Sequence, residues 1–288
     1  VNPQRQRKGK EREAMAKRLK HIRAGLVNYD YLVVIPSKND SPRVRAAKQA
    51  ASTAAQQFMN LKNSWRELEL KLAANFGARD HVVTLTYDDA HLPADKERAG
   101  KEFQRFIRRL RNVRRRRKDD LLYAFVTEGF HSKTTYSFLV GDGHLEDRRL
   151  HHHVVINGTG PGDYDELRSL WHGGGYIRIE PLDVHYYREL AKYMTKEARE
   201  FGKPKVGERT WRASRNLKSY EVEYTDIPSD SMTLAPPFGA VDYEAFGEAN
   251  PYGYAMFVGA RYLLYEEADP GLSYTEGRRQ PPLSHFQS

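Results

Sequence analysis

Residues 149–157 read Arg-Leu-His-His-His-Val-Val-Ile-Asn, three consecutive histidines that run directly into β-branched residues. Valine and isoleucine favour strands, so this stretch predicts a buried β-strand. Successive side chains of a strand point to opposite faces, which would place His151 and His153 on one face, about 7 Å apart along the chain, and His152 on the other. Two imidazoles on one face can bind a divalent cation. A shift of one residue would present His152 instead, and histidines in a surface strand can also have no role.

The composition limits the chemistry that the chain can perform. Lysine and arginine number 47 against 38 acidic residues, which gives a net charge of +9 over 288 residues and favours nucleic acid as a partner. There is no cysteine, so disulfides, thiolate nucleophiles and cysteine-bound zinc are excluded. A metal would be held by His, Asp, Glu or carbonyl oxygen, which favours Mg²⁺ or Mn²⁺. No apolar run approaches the roughly 18 residues of a membrane span, and residues 1–25 do not resemble a secretory signal, so we expect a cytoplasmic protein.

Alternating and helical patterns predict an α+β fold. Between residues 81 and 199 the predicted order is β-α-β-β-α-β-α, which favours an antiparallel five-stranded sheet flanked by helices over a doubly wound parallel sheet. The apolar spacing also predicts helices over 4–23 and 43–75, and alternation predicts a strand over 252–265. We therefore predict a basic N-terminal helical extension (1–78), a catalytic domain (79–222) and a C-terminal extension with a partly flexible tail (223–288).

Positive charge is concentrated in particular segments. Ten of the eighteen residues 101–118 are lysine or arginine, on a predicted helix whose outer face would bind the phosphate backbone of DNA. A second basic stretch, 211–218, contains Trp211, which could stack on an unpaired base, although packing is the more common role of a large aromatic residue. The predicted DNA-binding residues are Arg105, Arg108, Arg109, Arg115, Arg116, Arg149, Lys192 and Trp211.

Two further elements complete a candidate site. Glu128 ends the strand before the histidines, and a neighbouring strand would bring its carboxylate beside the two imidazoles. Tyr193 and Lys196 are three positions apart and share a face of a predicted helix over 184–199. A tyrosine hydroxyl can attack a phosphodiester, and a nearby cation would stabilise the developing charge. Weaker candidate ligands are Asp88, Asp89, His131 and His144, and alternative nucleophiles are Tyr186 and Tyr187.

In this order, the motifs resemble those of the HUH endonucleases. The stretch 149–156 is similar to their His-hydrophobe-His strand, and residues 192–196 (Lys-Tyr-Met-Thr-Lys) are similar to their tyrosine motif. Residues 83–87 resemble the first-strand motif of rolling-circle replication initiators, and Glu128 matches the acid of their metal site. The chain is most similar to replication-associated proteins of small bacterial phages and plasmids. The position four residues before Tyr193 is Glu189, so a second tyrosine is absent there.

The resemblance implies a mechanism. Mg²⁺ or Mn²⁺ held by Glu128, His151 and His153 would polarise the scissile phosphate of single-stranded or hairpin origin DNA in a bacterial host cell. Tyr193 would become joined to the 5′ end, with Lys196 stabilising the charge, and a host helicase and DNA polymerase would be partners. A single-tyrosine transposase or a mobilisation relaxase would share this chemistry. The remaining alternative is a non-enzymatic nucleic-acid-binding protein.

Overall fold

A computed structural model describes residues 17–34, 64–129, 149–196, 209–227, 234–249 and 256–265. Most of the predicted helix 43–75, the stretch that contains His131 and His144, and the C-terminal tail lie outside these ranges. In chain order the elements are β1 (Lys17–Ala24), β2 (Val27–Val34), α1 (64–73), β3 (His81–Tyr87), α2 (Lys96–Arg117), β4 (Tyr123–Glu128), β5 (His151–Ile156), α3 (Asp163–Leu170), β6 (Gly174–Pro181), α4 (Tyr187–Met194), β7 (Arg212–Ala213), β8 (Glu221–Ile227), β9 (Val241–Ala249) and β10 (Met256–Leu263).

The described residues form two compact units, each built on an antiparallel five-stranded sheet. In the unit spanning 64–219, the strand order is β6-β3-β5-β4-β7 and β5 is the central strand. The order β-α-β-β-α-β-α along the chain is the predicted one, so the α+β class and the antiparallel five-stranded sheet are confirmed.

The second unit contains a correction to the sequence prediction. Residues 17–24 form a strand, not the end of a helix, and they pair with β2 and β8 in a sheet of order β8-β1-β2-β10-β9. Gly25 has a φ of 53°, which permits the tight turn between β1 and β2. Buried Ile22 and Ala24 alternate as in a strand. The predicted helical extension is therefore wrong for 17–34, and α1 belongs to the unit that contains the histidines.

The sheet of the 64–219 unit has two faces with different cover. Helix α2 contributes Phe103, Phe106, Ile107 and Leu110 to a core cluster. That cluster includes the side chains of one face of the sheet, from alternate positions of the three central strands: Val83, Leu85, Tyr87, Tyr123, Phe125, Val154 and Ile156. We call this the α2 face. Because side chains alternate along β5, His151 and His153 belong to the other face.

A buried arginine joins α2 to α3 and to the end of β5. Arg114 is fully buried, and its Nη1 donates to the backbone carbonyl and the side-chain oxygen of Asn157, both at 2.8 Å. Its Nε donates to Glu166 at 3.2 Å, and its Nη2 lies 3.8 Å from Asp163. Two acids and an amide thus compensate one buried cation, which is the condition for burying it.

We expect Arg114→Met to lower the free energy of unfolding by about 3 kcal/mol, because it leaves buried acceptors without their cation. Arg116→Met is the matched control on the same helix, since Arg116 is exposed, and we expect it to change stability by less than about 0.5 kcal/mol. Urea unfolding followed by circular dichroism measures both variants. Equal losses would show that the buried network contributes little.

Acid sensitivity is expected at Asp163. Burial alone would raise its pKa, but hydrogen bonds from Thr159, His81 and Gly160 outweigh burial and hold the pKa of this carboxyl well below its usual value. A depressed folded-state pKa stabilises the protein above the unfolded-state value and loses that contribution as the pH falls through the folded-state value. Between about pH 5 and pH 3, the unfolding free energy of Asp163→Asn should therefore fall less steeply than that of the unmodified chain. Parallel curves would contradict this assignment.

Candidate active site

Strand pairing aligns the residues of the site. In β5, His151 is opposite Thr86 of β3 and Glu128 of β4, and His153 is opposite Thr84. Side chains directly opposite in neighbouring strands share a face. The register therefore places Glu128 next to the outer histidines, on the face away from α2.

These three side chains converge on a small volume. The Nε2 atoms of His151 and His153 lie 3.0 Å apart, and Glu128 Oε2 lies 3.8 Å and 3.7 Å from them. All three donor atoms lie within 4.8 Å of one another. Glu128 and His153 are buried and His151 is half-buried, so one side of the cluster is accessible. Two imidazoles and one carboxylate are a suitable donor set for Mn²⁺ or Mg²⁺ that keeps open positions for substrate oxygen.

The hydrogen bonds of the two outer histidines leave the right atoms for a metal. His151 Nδ1 donates to the carbonyl oxygen of Arg149 at 2.7 Å, because a carbonyl can only accept. The Nε2 atom of His151 is then the one with a lone pair. Nδ1 of His153 lies 3.2 Å from the Thr84 hydroxyl, which can accept its proton. Such outer contacts fix the tautomer and orientation of metal-binding histidines.

Electrostatics also favour the neutral imidazole that a metal needs. Burial lowers the pKa of His153 well below its usual value, and the neighbouring charges of His151 and Lys196 lower it further. His153 is therefore neutral at physiological pH.

His152 points to the opposite face. Its Nε2 lies 2.7 Å from the Tyr87 hydroxyl and its Nδ1 2.9 Å from the Thr127 hydroxyl. Its ring packs against Phe103 and Trp171 in the core beneath α2. Burial, with a smaller contribution from His151, lowers the pKa of His152 to about 3, so it is a neutral, hydrogen-bonded core residue.

Helix α4 carries Tyr193 next to the three converging side chains. Its buried residues, Tyr187, Leu190, Ala191 and Met194, follow the helical spacing of a single apolar stripe. Tyr193 lies at the edge of that stripe and is half-buried. The ring centroids of Tyr193 and His153 are 4.8 Å apart, and Lys196 Nζ lies 4.2 Å from the centroid of the Tyr193 ring. A phenol, an ammonium group and the three candidate ligands therefore form one cluster.

The alternative nucleophiles and ligands have other surroundings. Tyr187 is buried and its hydroxyl donates to the backbone carbonyl of Phe76, so it is unsuited to attack a phosphate. Tyr186 is half-buried and precedes α4. Asp88 pairs with His91, and Asp89 pairs with Arg149 at 2.7 Å.

The residues predicted to bind DNA have several locations. Arg105, Arg108, Arg115 and Arg116 are exposed on α2, whereas Arg109 is half-buried and donates to the carbonyl of Leu170. Since α2 covers the face opposite the three ligands, its arginines and the candidate metal ligands are on different sides of the sheet. Lys192 Nζ lies 5.2 Å from the ring centroid of Trp65, and the Trp211 indole donates to the carbonyl of Ser64 at 3.0 Å. Trp211 thus has a packing contact.

Sequence reasoning did not identify Thr84, the residue that contacts His153. The sequence signal was the alternation Val83-Thr84-Leu85-Thr86-Tyr87, which places both threonines on the face opposite the core. Only the pairing of β3 with β5 shows which threonine lies opposite which histidine.

Comparison with known proteins gives a family for this part of the chain. An α+β unit with two imidazoles, a carboxylate and a tyrosine on one sheet face has the arrangement expected of a metal-dependent nuclease. Residues 80–198 match the family model of the replication-associated protein ORF2. This match confirms the resemblance found from the motif order and is consistent with a rolling-circle replication initiator of small phages or plasmids. No curated protein and no solved structure matches the chain significantly. Within the described residues, no helix is long and apolar enough to cross a membrane.

Proposed function

We propose that this protein initiates rolling-circle replication by nicking and rejoining one DNA strand through a covalent link to Tyr193. The observation that carries the proposal is the position of Tyr193, whose ring centroid is 4.8 Å from that of a candidate metal ligand, His153. The family match to replication-associated proteins supports DNA as the substrate.

Glu128, His151 and His153 would hold Mg²⁺ or Mn²⁺. When bound there, the cation would supply charge neutralisation and orientation of the scissile phosphate. The protein supplies the rest of the geometry: the sheet fixes the three ligands on adjacent strands, and α4 positions the tyrosine beside them.

In the proposed step the Tyr193 hydroxyl oxygen attacks phosphorus. The new bond joins tyrosine to the 5′ phosphate, the bond from phosphorus to the 3′ oxygen breaks, the phenolic proton passes to water and the leaving 3′ oxygen takes up a proton. Lys196, whose ammonium group lies against the Tyr193 ring, would stabilise negative charge as the bonds change. The covalent link retains the energy of the phosphodiester, so a 3′ hydroxyl can later reverse the step, while the first 3′ hydroxyl primes synthesis by a polymerase.

The direct test is formation of a covalent adduct. The full chain is incubated with labelled single-stranded DNA from a panel of origin sequences and Mn²⁺, and the products are separated under denaturing conditions. We expect a labelled band at the mass of the protein plus DNA, and its loss in EDTA. Binding without cleavage or adduct across the whole panel would support a non-enzymatic DNA-binding protein instead.

A further inference from the structure

An arginine-lined cleft of about 760 Å³ lies between α2 and the segment around β7. Five arginines from different parts of the chain line this arginine cleft: Arg111, Arg115, Arg209, Arg212 and Arg215. Its acidic residues are Asp119 and Asp120, and Asp119 pairs with Arg117 at 2.9 Å. Positive charge therefore predominates in the cleft.

The arginine cleft lies on the α2 face of the sheet and is separate from the candidate active site. Tyr123 and Phe125, which line it, belong to the core cluster beneath α2. Arg212 is directly opposite Phe125 in the pairing of β7 with β4, so its side chain is on that face too. Glu128 and the outer histidines are on the other face.

The five guanidinium groups have few protein contacts. All five residues are exposed. Among the residues that the structure describes, none of these groups is in an ion pair or a hydrogen bond with a side chain. Several like charges around one cleft repel one another, and binding of a polyanion removes that cost.

The lining favours the regular backbone of a duplex. Every cation in the cleft is an arginine, whose planar fork matches a phosphate with two hydrogen bonds. Sites for single strands usually add exposed aromatic rings on which bases stack. Here the two rings are buried, and the Phe125 ring stacks on Phe103 with centroids 4.0 Å apart. The arginine cleft thus offers charge without a stacking surface.

We propose that the arginine cleft binds the phosphate backbone of a DNA duplex arm next to the strand that is cut on the other face of the sheet. This inference depends on the proposed function for the identity of the DNA, but its measurement does not depend on cleavage. It assigns recognition of the duplex and cleavage of the strand to opposite faces of one sheet.

The test measures binding of a fluorescent blunt-ended duplex of arbitrary sequence by the full chain in EDTA, by anisotropy over a range of KCl concentrations. The test variant, Arg111→Gln with Arg212→Gln, removes one arginine from each wall. The matched control, Arg79→Gln with Arg98→Gln, removes the same charge from two exposed positions outside the cleft. We expect the test variant to bind at least about tenfold more weakly and its log–log salt slope to fall by about 1.8, or 0.9 per lost phosphate contact. The control should lose less than about threefold.

Three outcomes would overturn the inference: no duplex binding by the unmodified chain, equal losses in the two variants, or tighter binding of a polyglutamate peptide than of the duplex. The last outcome would indicate an acidic protein partner. Failure of adduct formation with normal duplex binding in the cleft would reject the proposed function and leave the duplex site in place.

Discussion

Tyr193→Phe should reduce formation of the covalent protein–DNA adduct by at least about a thousandfold, because the substitution removes the attacking oxygen and nothing else. The ring, its contact with His153 and its contact with the Lys196 ammonium remain possible in phenylalanine. Affinity for single-stranded DNA should therefore stay within about twofold of the unmodified chain, since the phosphate contacts do not involve this hydroxyl. Denaturing gels measure the adduct, and fluorescence anisotropy in EDTA measures the affinity.

Tyr186→Phe is the control for this experiment, because it deletes a hydroxyl from a tyrosine that lies just before α4. We expect it to form the adduct at the normal rate. An adduct that persists in Tyr193→Phe and disappears in Tyr186→Phe would move the nucleophile to residue 186. Loss of the adduct in both variants would leave the nucleophile unresolved between them and would contradict the assignment to Tyr193 alone.

His151→Ala and His153→Ala should each remove metal-dependent cleavage. Loss of a residue that only orients a metal ligand typically costs ten- to a hundredfold, so loss of a ligand itself should cost at least about a hundredfold in metal affinity or activity. Titration of Mn²⁺ against cleavage rate measures the effect, and calorimetry of Mn²⁺ binding without DNA measures it independently of catalysis. Unchanged Mn²⁺ affinity in both variants would reject the proposed ligand set.

His152→Ala provides the contrast from the same strand. It deletes a fully buried ring with hydrogen bonds to Tyr87 and Thr127, so we expect a loss of about 3 kcal/mol in the free energy of unfolding. At a temperature where the variant is folded, its Mn²⁺ affinity should stay within about threefold of normal. A variant of normal stability that fails to bind Mn²⁺ would show that residue 152 is the ligand.

Local patterns were sufficient to predict the sheet of the 64–219 unit. Strand β3 alternates threonine with larger apolar residues, and β5 is β-branched after the histidines, so each has a strong period of two. Helix α2 has apolar residues three and four apart under a basic surface, and all of those at Phe103, Phe106 and Leu110 are buried. The fold class depends on these few periods.

The N-terminal hairpin could not be predicted in this way. In β1 the apolar residues Leu19 and Ile22 are three apart, which matches a helix as well as a strand. The alternatives are distinguished by pairing with β8, whose first residue is about two hundred positions further along the chain. Partners so distant leave no signal in a local window.

The candidate site was predictable where it depends on order along the chain and not where it depends on packing. The alternation of β5 separates His151 and His153 from His152, and the end of β4 identifies Glu128. By contrast, the arginines of α2 were expected near the site because of their charge alone. Their helix covers the opposite face because its apolar stripe packs on that face.

The hydrogen bonds of His152 have a consequence for variation at a distance. Tyr87 and Thr127 bind the middle imidazole from the α2 face and thereby hold β5 in the alignment that presents its neighbours to a cation. Natural or engineered changes at Tyr87 or Thr127 would then appear in functional screens as weakened metal loading, in proteins whose metal-binding residues are all intact. A survey that counts only ligands would overlook this class of defective variant.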